Sequence, residues 1–207
     1  MTKEVIYLQY SSSEEIENDA YPVVIPTVAV LISLASQDGR ASITPIVAWT
    51  LVSRFPFMVL IALCHGHYTQ NYFPRYSNKV IRQTREFVLN IPHMGLSEAI
   101  TKAGGVSGND PKVDKFALTG LTPGPAKTVR SPIIVECPIN LECKVVEVIR
   151  AGSHDLFIAE VTAIQHDPIL SQKIQDDLMV VDMILDEAGT GAPQKKRMTW
   201  RTLPVLS

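Results

Sequence analysis

Neither sign of charge dominates this chain. Its 19 Lys and Arg residues face 21 Asp and Glu, for a net charge of −2. Without a basic excess to neutralise a phosphate backbone, nucleic acid is disfavoured as a partner. Long apolar runs are missing as well. The longest are about eight residues, as in Phe57 to Cys64, whereas a membrane-spanning helix needs about 18 or more, so no membrane partner is expected. Met1-Thr2-Lys3-Glu4 opens the chain without the apolar stretch of a signal peptide. Cysteine is scarce and odd in number, at three. That argues against a disulfide framework and for a reducing cytoplasm. Cys137 and Cys143 form no CxxC pair and have no His at ligand spacing, so no zinc site is expected. The glycine-rich dinucleotide and Walker loops, the GxSxG elbow and the HExxH helix are all absent. An enzyme without these would rely on a bound cofactor for its chemistry.

What is present suffices for one core. The chain has 207 residues, 46% of them hydrophobic, which suits a single domain spanning 1–207. A short strand is expected over Val5 to Leu8, then a polar connection over residues 10–19. Val28 to Ser36 reads as a strand, turning at Asp38-Gly39 into a return strand, Ala41 to Thr50, because Gly tolerates the positive φ of a tight hairpin. Phe57 to Cys64 is almost wholly apolar and reads as a strand buried on both faces. Further strands are expected over Glu86 to Ile91, Ile133 to Cys137, Ile139 to Ile149 and Leu156 to Ile164. Short helices are expected over Asn78 to Thr84, N-capped by Ser77, over Leu96 to Lys102 with a Gly104-Gly105 cap, and over Asp114 to Leu118. Met179 to Leu185 is ambiguous between strand and helix. Seven or so strands with hairpin connections point to an antiparallel barrel.

Four places could carry chemistry. Trp49, at a strand end, is either a stacking partner for a planar ligand or a core aromatic. Arg75 and Ser77 offer a guanidinium fork and a hydroxyl beside helix-end amides, a phosphate-binding combination, or else a surface Arg and a capping Ser. Ser107-Gly108-Asn109-Asp110, followed by Asp114-Lys115-Phe116, is a phosphate cradle with one Lys, or an ordinary turn before a helix. His154, in the turn between two long strands, is placed to donate a hydrogen bond or shuttle a proton, or simply faces solvent. His65 and His67 have a metal-like i, i+2 spacing on a strand, but no third ligand or nearby carboxylate completes a metal site.

Several segments resemble the flavin reductase-like, FMN-binding split-barrel family, to which flavoredoxin belongs. They are Tyr21 to Val24 with Asp38-Gly39-Arg40; Arg75-Tyr76-Ser77-Asn78-Lys79 running on to Glu86-Phe87-Val88-Leu89-Asn90-Ile91-Pro92; Val106-Ser107-Gly108-Asn109-Asp110 with Asp114-Lys115-Phe116 and Gly120-Leu121-Thr122-Pro123; and Ser131 to Lys144 with Gly152-Ser153-His154-Asp155. The match covers about residues 20–167 as a core and leaves 168–207 as a C-terminal extension, expected to pack on the barrel or on a partner.

The resemblance implies a mainly β, six-stranded antiparallel Greek-key split barrel with a few short helices. It also implies a homodimer holding FMN near its interface. Ser42, Thr44, Trp49, Arg75, Ser77, Ser107, Lys115 and His154 would then bind the cofactor, with His154 also the catalytic candidate beside the ring. The implied function is an FMN-dependent oxidoreductase. It would take reducing equivalents from NAD(P)H or a protein donor and pass them to flavin, a metal ion or another carrier. The alternatives are a non-catalytic electron carrier and a barrel that has lost flavin.

Two departures from the family pattern stand out. Ser42 and Ile43 replace the Asn usual before the Trp. Between Cys64 and Pro74 lies an insertion of roughly eight residues that carries His65, His67, Tyr68, Tyr72 and Phe73.

Overall fold

The computed structural model describes residues 27–67 and 73–168, together with the backbone of two further strands, Asp177–Ile184 and Arg197–Pro204. The expected strand Val5 to Leu8, the segment Tyr21 to Val24, and Tyr68 and Tyr72 lie outside the described residues.

Seven strands form the main sheet: β1 (Val30–Ala35), β2 (Ala41–Ile46), β3 (Trp49–Arg54), β4 (Phe57–Cys64), β5 (Glu86–Ile91), β8 (Ile139–Ala151) and β9 (His154–His166). Their spatial order is β2-β1-β5-β8-β9-β4-β3, antiparallel throughout. Strands β2 and β3 occupy opposite edges of this order, yet only Val47 and Ala48 separate them in sequence. Three residue steps reach at most about 10 Å. The sheet is therefore rolled until its edges meet at that corner. Trp49 fastens the junction: its indole Nε1 donates to the carbonyl of Val28, ahead of β1, at 2.9 Å. This is a split barrel, open along the remaining length of the two edges.

The strand count exceeds the expected six by one because Ala41 to Thr50 is not one strand. It breaks at Val47-Ala48 to pass from one edge to the other. Ile133 to Cys137 is also shorter than expected. Only Ile133–Ile134 (β7) is extended, pairing with Pro123–Gly124 (β6) outside the main sheet. The ambiguous C-terminal segment is a strand: β10 (Asp177–Ile184) pairs with β11 (Arg197–Pro204) as a separate hairpin.

Three helices complete the described fold: α1 (Tyr76–Thr84), α2 (Ser97–Gly105) and α3 (Lys115–Thr119). Two of the expected caps differ. Arg75, not Ser77, is the N-cap of α1, and Ser77 sits inside the first turn. Helix α2 runs through Gly104 and Gly105 and ends at Val106 in extended conformation, so no left-handed Gly terminates it. Helix α3 is capped at both ends as a short helix needs. The Asp114 carboxylate accepts from the Ala117 amide at 3.1 Å, and Gly120 takes a left-handed φ of 73°.

Alternation along β1 serves two cores at once. Val30, Ile32 and Leu34 face the barrel interior with Ile61, Phe87, Leu89, Phe157 and the Val80-Ile81 face of α1. Leu31 faces outward into a second cluster with Ile43, Ile100, Ala103, Phe116 and Ile134. Asn90 ties that outer layer to the sheet. Its amide donates to Leu31 O and Ser33 Oγ, while its Oδ1 accepts from the Ile134 amide and from Asn140 Nδ2, all within 3.0 Å. A buried amide spent in this way fixes the 131–134 loop against the sheet.

Candidate functional site

The end of the barrel plugged by α1 is where most of the sequence candidates gather. The helix is held there by one carboxylate. Asp155 is fully buried on β9 and pairs with Arg82: Arg82 Nε donates a hydrogen bond to Oδ2 at 2.9 Å, while Arg82 Nη2 lies 2.7 Å from Oδ1 as an ion pair without hydrogen-bond geometry. Asn78 Nδ2 adds a bond to Oδ2 at 2.8 Å and another to Leu63 O at 3.0 Å. One turn earlier, the Arg75 amide donates to Cys64 O at 3.1 Å. The chain thus leaves the sheet after Cys64 and returns to it at Arg75. The return point lies next to the start of α1, and residues 68–72 of the expected insertion lie outside the described residues.

That start is built for an anion. No side chain caps α1 and no acidic residue lies in its first turn, which leaves the positive end of the helix dipole uncompensated. Ser77 Oγ is buried, with the residue 1% exposed, and has no hydrogen-bond partner among the described residues. A buried hydroxyl in that condition is costly unless something else satisfies it.

Three cations surround the place. Lys115 is buried, and its ammonium donates to Ala103 O, in the last turn of α2, at 2.7 Å. Burial first, and then the nearby charges of Arg75 and Arg40, push its pKa down to about 8. Arg40 stacks over the Tyr76 ring at 4.7 Å from the centroid, and Arg75 over Phe73 at 4.4 Å. Gly108 closes the remaining side. A Cβ there would lie 3.1 Å from Tyr76 Cβ and 3.4 Å from Ser42 Oγ, so only a glycine lets this loop approach so closely.

Of the sequence candidates, Ser42, Arg75, Ser77 and Lys115 converge here. Ser42 is buried and faces the barrel interior opposite Leu34. Its neighbour Ile43 faces the outer cluster. Of the two residues in the usual Asn place, Ser42 is therefore the one turned toward the cradle. Thr44 follows one pleat further along the same face and is half-buried. Ser107 differs from expectation: it is exposed, and its Oγ accepts from the Asn109 amide. Its neighbour Gly108 makes the contact instead.

His154 is the first residue of β9 rather than part of the turn, pairing with Cys64. It is half-buried, and its Nδ1 lies 2.8 Å from Ser153 Oγ. Burial, then His65 and Arg75, lower its pKa, so the imidazole is neutral near pH 7. His65 continues the ladder one step further: its amide donates to Ser153 O, and its Nε2 lies 3.0 Å from Gly152 O.

Trp49 is not part of this cluster. It sits beyond the other end of β2 from Ser42, over the junction of the sheet edges, and packs against the interior core. Four residue steps of β2 separate Ser42 from Ile46, about 13 Å at strand spacing. Among the described residues no group of three His, Cys, Asp or Glu is placed to hold a metal. No described helix is long and apolar enough to cross a membrane.

Arg40 and Tyr76 are the site residues that sequence reasoning did not single out. Their only signal in the sequence is membership in the Asp38-Gly39-Arg40 and Arg75-Tyr76-Ser77 segments that resemble the family.

A family model described as a flavin reductase like domain matches residues 21–179. The chain belongs to the flavin reductase-like family. An uncharacterised protein of Archaeoglobus fulgidus is 38% identical over 108 residues, covering 52% of this chain and 56% of the relative. The chain thus spans little more than half the length of that relative. The protein named FMN reductase (NADH) RutF of Acinetobacter baylyi is 36% identical over 61 residues, 28% of this chain and 30% of that one. Among solved structures, flavoredoxin of Desulfovibrio vulgaris (Miyazaki F) superimposes with a TM-score of 0.67 at 22% identity, covering 88% of this chain and 91% of its own. That likeness agrees with the rolled, split sheet described above.

Proposed function

We propose that the chain binds FMN at the α1 end of the barrel and works as an oxidoreductase of the flavin reductase type. The observation that carries this reading is the buried, unpartnered Ser77 hydroxyl at an uncapped helix start, ringed by Arg40, Arg75 and Lys115. A phosphate monoester fits this arrangement: it accepts from the Ser77 hydroxyl and the helix amides and places its negative charge beside the three cations. The bound flavin supplies the redox chemistry, accepting two electrons from a donor and releasing them to an acceptor. The protein's own part is to hold and orient. Ser77, Arg75 and Lys115 fix the phosphate, and Ser42 and Thr44 lie along the interior face that leads away from it. Trp49 stands beyond that face. His154, neutral and half-buried, offers a hydrogen bond to the ring from its strand-end position, which is the catalytic role proposed for it.

The visible spectrum of the purified protein tests the reading. A flavin band, present at once or after FMN is added, is the expected result. A colourless protein that takes up no FMN would sink it. Steady-state oxidation of NADH or NADPH with free flavin then separates a reductase from a carrier. The flavoredoxin likeness covers most of the chain and keeps the carrier reading in play, and no turnover with either nucleotide would favour it. Three free, buried thiols suit the reducing cytoplasm proposed as its compartment.

The same reading includes a homodimer. The outer hydrophobic cluster contains no residue of β3, β4, β8 or β9. On that half of the outer face Leu60 pairs with Ile158 and Ala62 with Leu156, and Ile149, which is 41% exposed, lies beside Leu156. An apolar sheet face of this kind is what a second copy would cover, and His154 stands on the same face. Sedimentation should give a dimer, and Ile158→Arg should give a folded monomer. A wild-type monomer at micromolar concentration would overturn this part.

A further inference from the structure

The phosphate cradle has a wall, and one residue builds it. Arg40 Nη2 donates to two carbonyls of the loop that closes the cradle, Asp110 O at 2.7 Å and Val113 O at 3.0 Å. Its guanidinium also stacks on Tyr76, at the first residue of α1. One side chain thus clamps the β1–β2 hairpin, the helix start and the 108–113 loop together. Asn109 Nδ2 adds a bond to Pro74 O at 3.0 Å, on the other flank of the same loop. Arg40 also borders a separate surface depression of about 330 Å³, lined with Ala41, Lys112, Val113, Asp114 and Phe116. Arg40 therefore touches both the loop and helix start of the cradle and a hollow beside it.

We propose that Arg40 makes the site selective for FMN over FAD. This rests on the flavin reading above. FMN ends in a monoester whose three terminal oxygens can all be cradled. In FAD the same phosphorus carries a bridging oxygen to a second phosphate and an adenosine, which must leave the cradle. Ser77 and Lys115 are 1% and 4% exposed, so the cradle around them is tight and suits a terminal phosphate better than one that carries a further group. The loop at Gly108 is already pressed against Tyr76 and Ser42. An extension of the phosphate into the adjoining hollow meets Arg40, which borders it, and displacing that side chain breaks two charge-assisted hydrogen bonds and the stacking contact. The selectivity is therefore steric and depends on the fork geometry of arginine, not on charge alone.

Equilibrium titration of the deflavinated full chain with FMN and with FAD, followed by flavin fluorescence, tests this. Wild type should bind FMN at least about tenfold more tightly than FAD. Arg40→Lys keeps the charge but cannot hold both carbonyls and the ring together. It should bring the two affinities within about threefold of each other, a change equal to the loss of most of that tenfold preference. Equal affinities in wild type overturn the proposal, and so does an unchanged FMN-to-FAD ratio in Arg40→Lys. Wild type that binds neither flavin would instead overturn the cofactor reading on which the proposal stands.

Discussion

Asp155→Ala should lower the stability of the fold by about 1–3 kcal/mol, the range for leaving a buried hydrogen-bond donor, here the Asn78 amide, without its partner. The side chain is fully buried and grips Arg82 through both oxygens, with Asn78 on one of them and Arg150 at 3.6 Å from the other. Truncation strands the buried Asn78 amide and releases α1 from β9, while the Arg82 guanidinium, 43% exposed, turns to water. Asp155→Asn keeps the shape and removes the charge, so it should cost less. The pair also carries a pH signature. Burial alone would raise the Asp155 pKa, but the hydrogen bonds from Arg82 and Asn78 outweigh it and hold the carboxyl below its ordinary value. A depressed carboxylate contributes stability that is fully present above its unfolded pKa of about 3.9 and is lost as pH falls through the lower folded value. Urea denaturation from pH 7 down to pH 3 should therefore show a steeper acid loss in wild type than in Asp155→Asn. Parallel acid limbs would show that the pair is not what fixes the helix.

This pair also shows where the sequence speaks and where it is silent. Phe57 to Cys64 is readable as a strand residue for residue, but its burial on both faces is not borne out: Val59, Ile61 and Leu63 are buried in the core, whereas Met58, Leu60 and Ala62 on the other face are only half-buried. The Asp38-Gly39 turn was readable because Gly39 takes a φ of 87° that few other residues accept. The break at Val47-Ala48 was not, since nothing in a continuing apolar pattern says that the chain changes edges there. That event depends on closure of a seven-stranded sheet, a property of the whole chain. The same division holds in the site. Ser77 and Arg75 could be picked out as neighbours with the right chemistry, yet cap statistics favour Ser at the N-cap and so place it two positions too early in the helix. Arg40 looked like any hairpin arginine. Its partners, Asp110 and Val113, lie 70 and 73 residues away, and only the fold brings them together. Lys115 was flagged as a candidate, but its burial could not be foreseen from a polar stretch after Asp114.

That burial makes Lys115 the most informative single substitution for function. Lys115→Met should weaken FMN binding by about tenfold to a hundredfold and leave riboflavin nearly unchanged, because only FMN brings a phosphate to the ammonium. The pH dependence follows from the same group. With a pKa lowered to about 8, Lys115 is charged at neutral pH and loses its proton just above it. A bound phosphate favours the charged form and raises that pKa, so FMN affinity is highest between about pH 6, where the phosphate gains its second charge, and about pH 8, and falls as pH rises through the latter. Riboflavin affinity should be flat over the same window, and so should FMN affinity in Lys115→Met. Folding runs the other way. The depressed pKa means that holding the charge in the fold costs stability at neutral pH, and the cost fades as pH climbs from about 8 toward the ordinary value of 10.5. Lys115→Met therefore loses the ammonium bond to Ala103 O but also sheds a buried charge, and its thermal stability without flavin should fall little or rise. A variant that unfolds readily, or that loses FMN and riboflavin equally, would mean that Lys115 serves mainly as the cap of α2. The expected combination, a stable apoprotein with selectively weakened FMN binding, would mean the buried cation is retained for the phosphate at the expense of the fold.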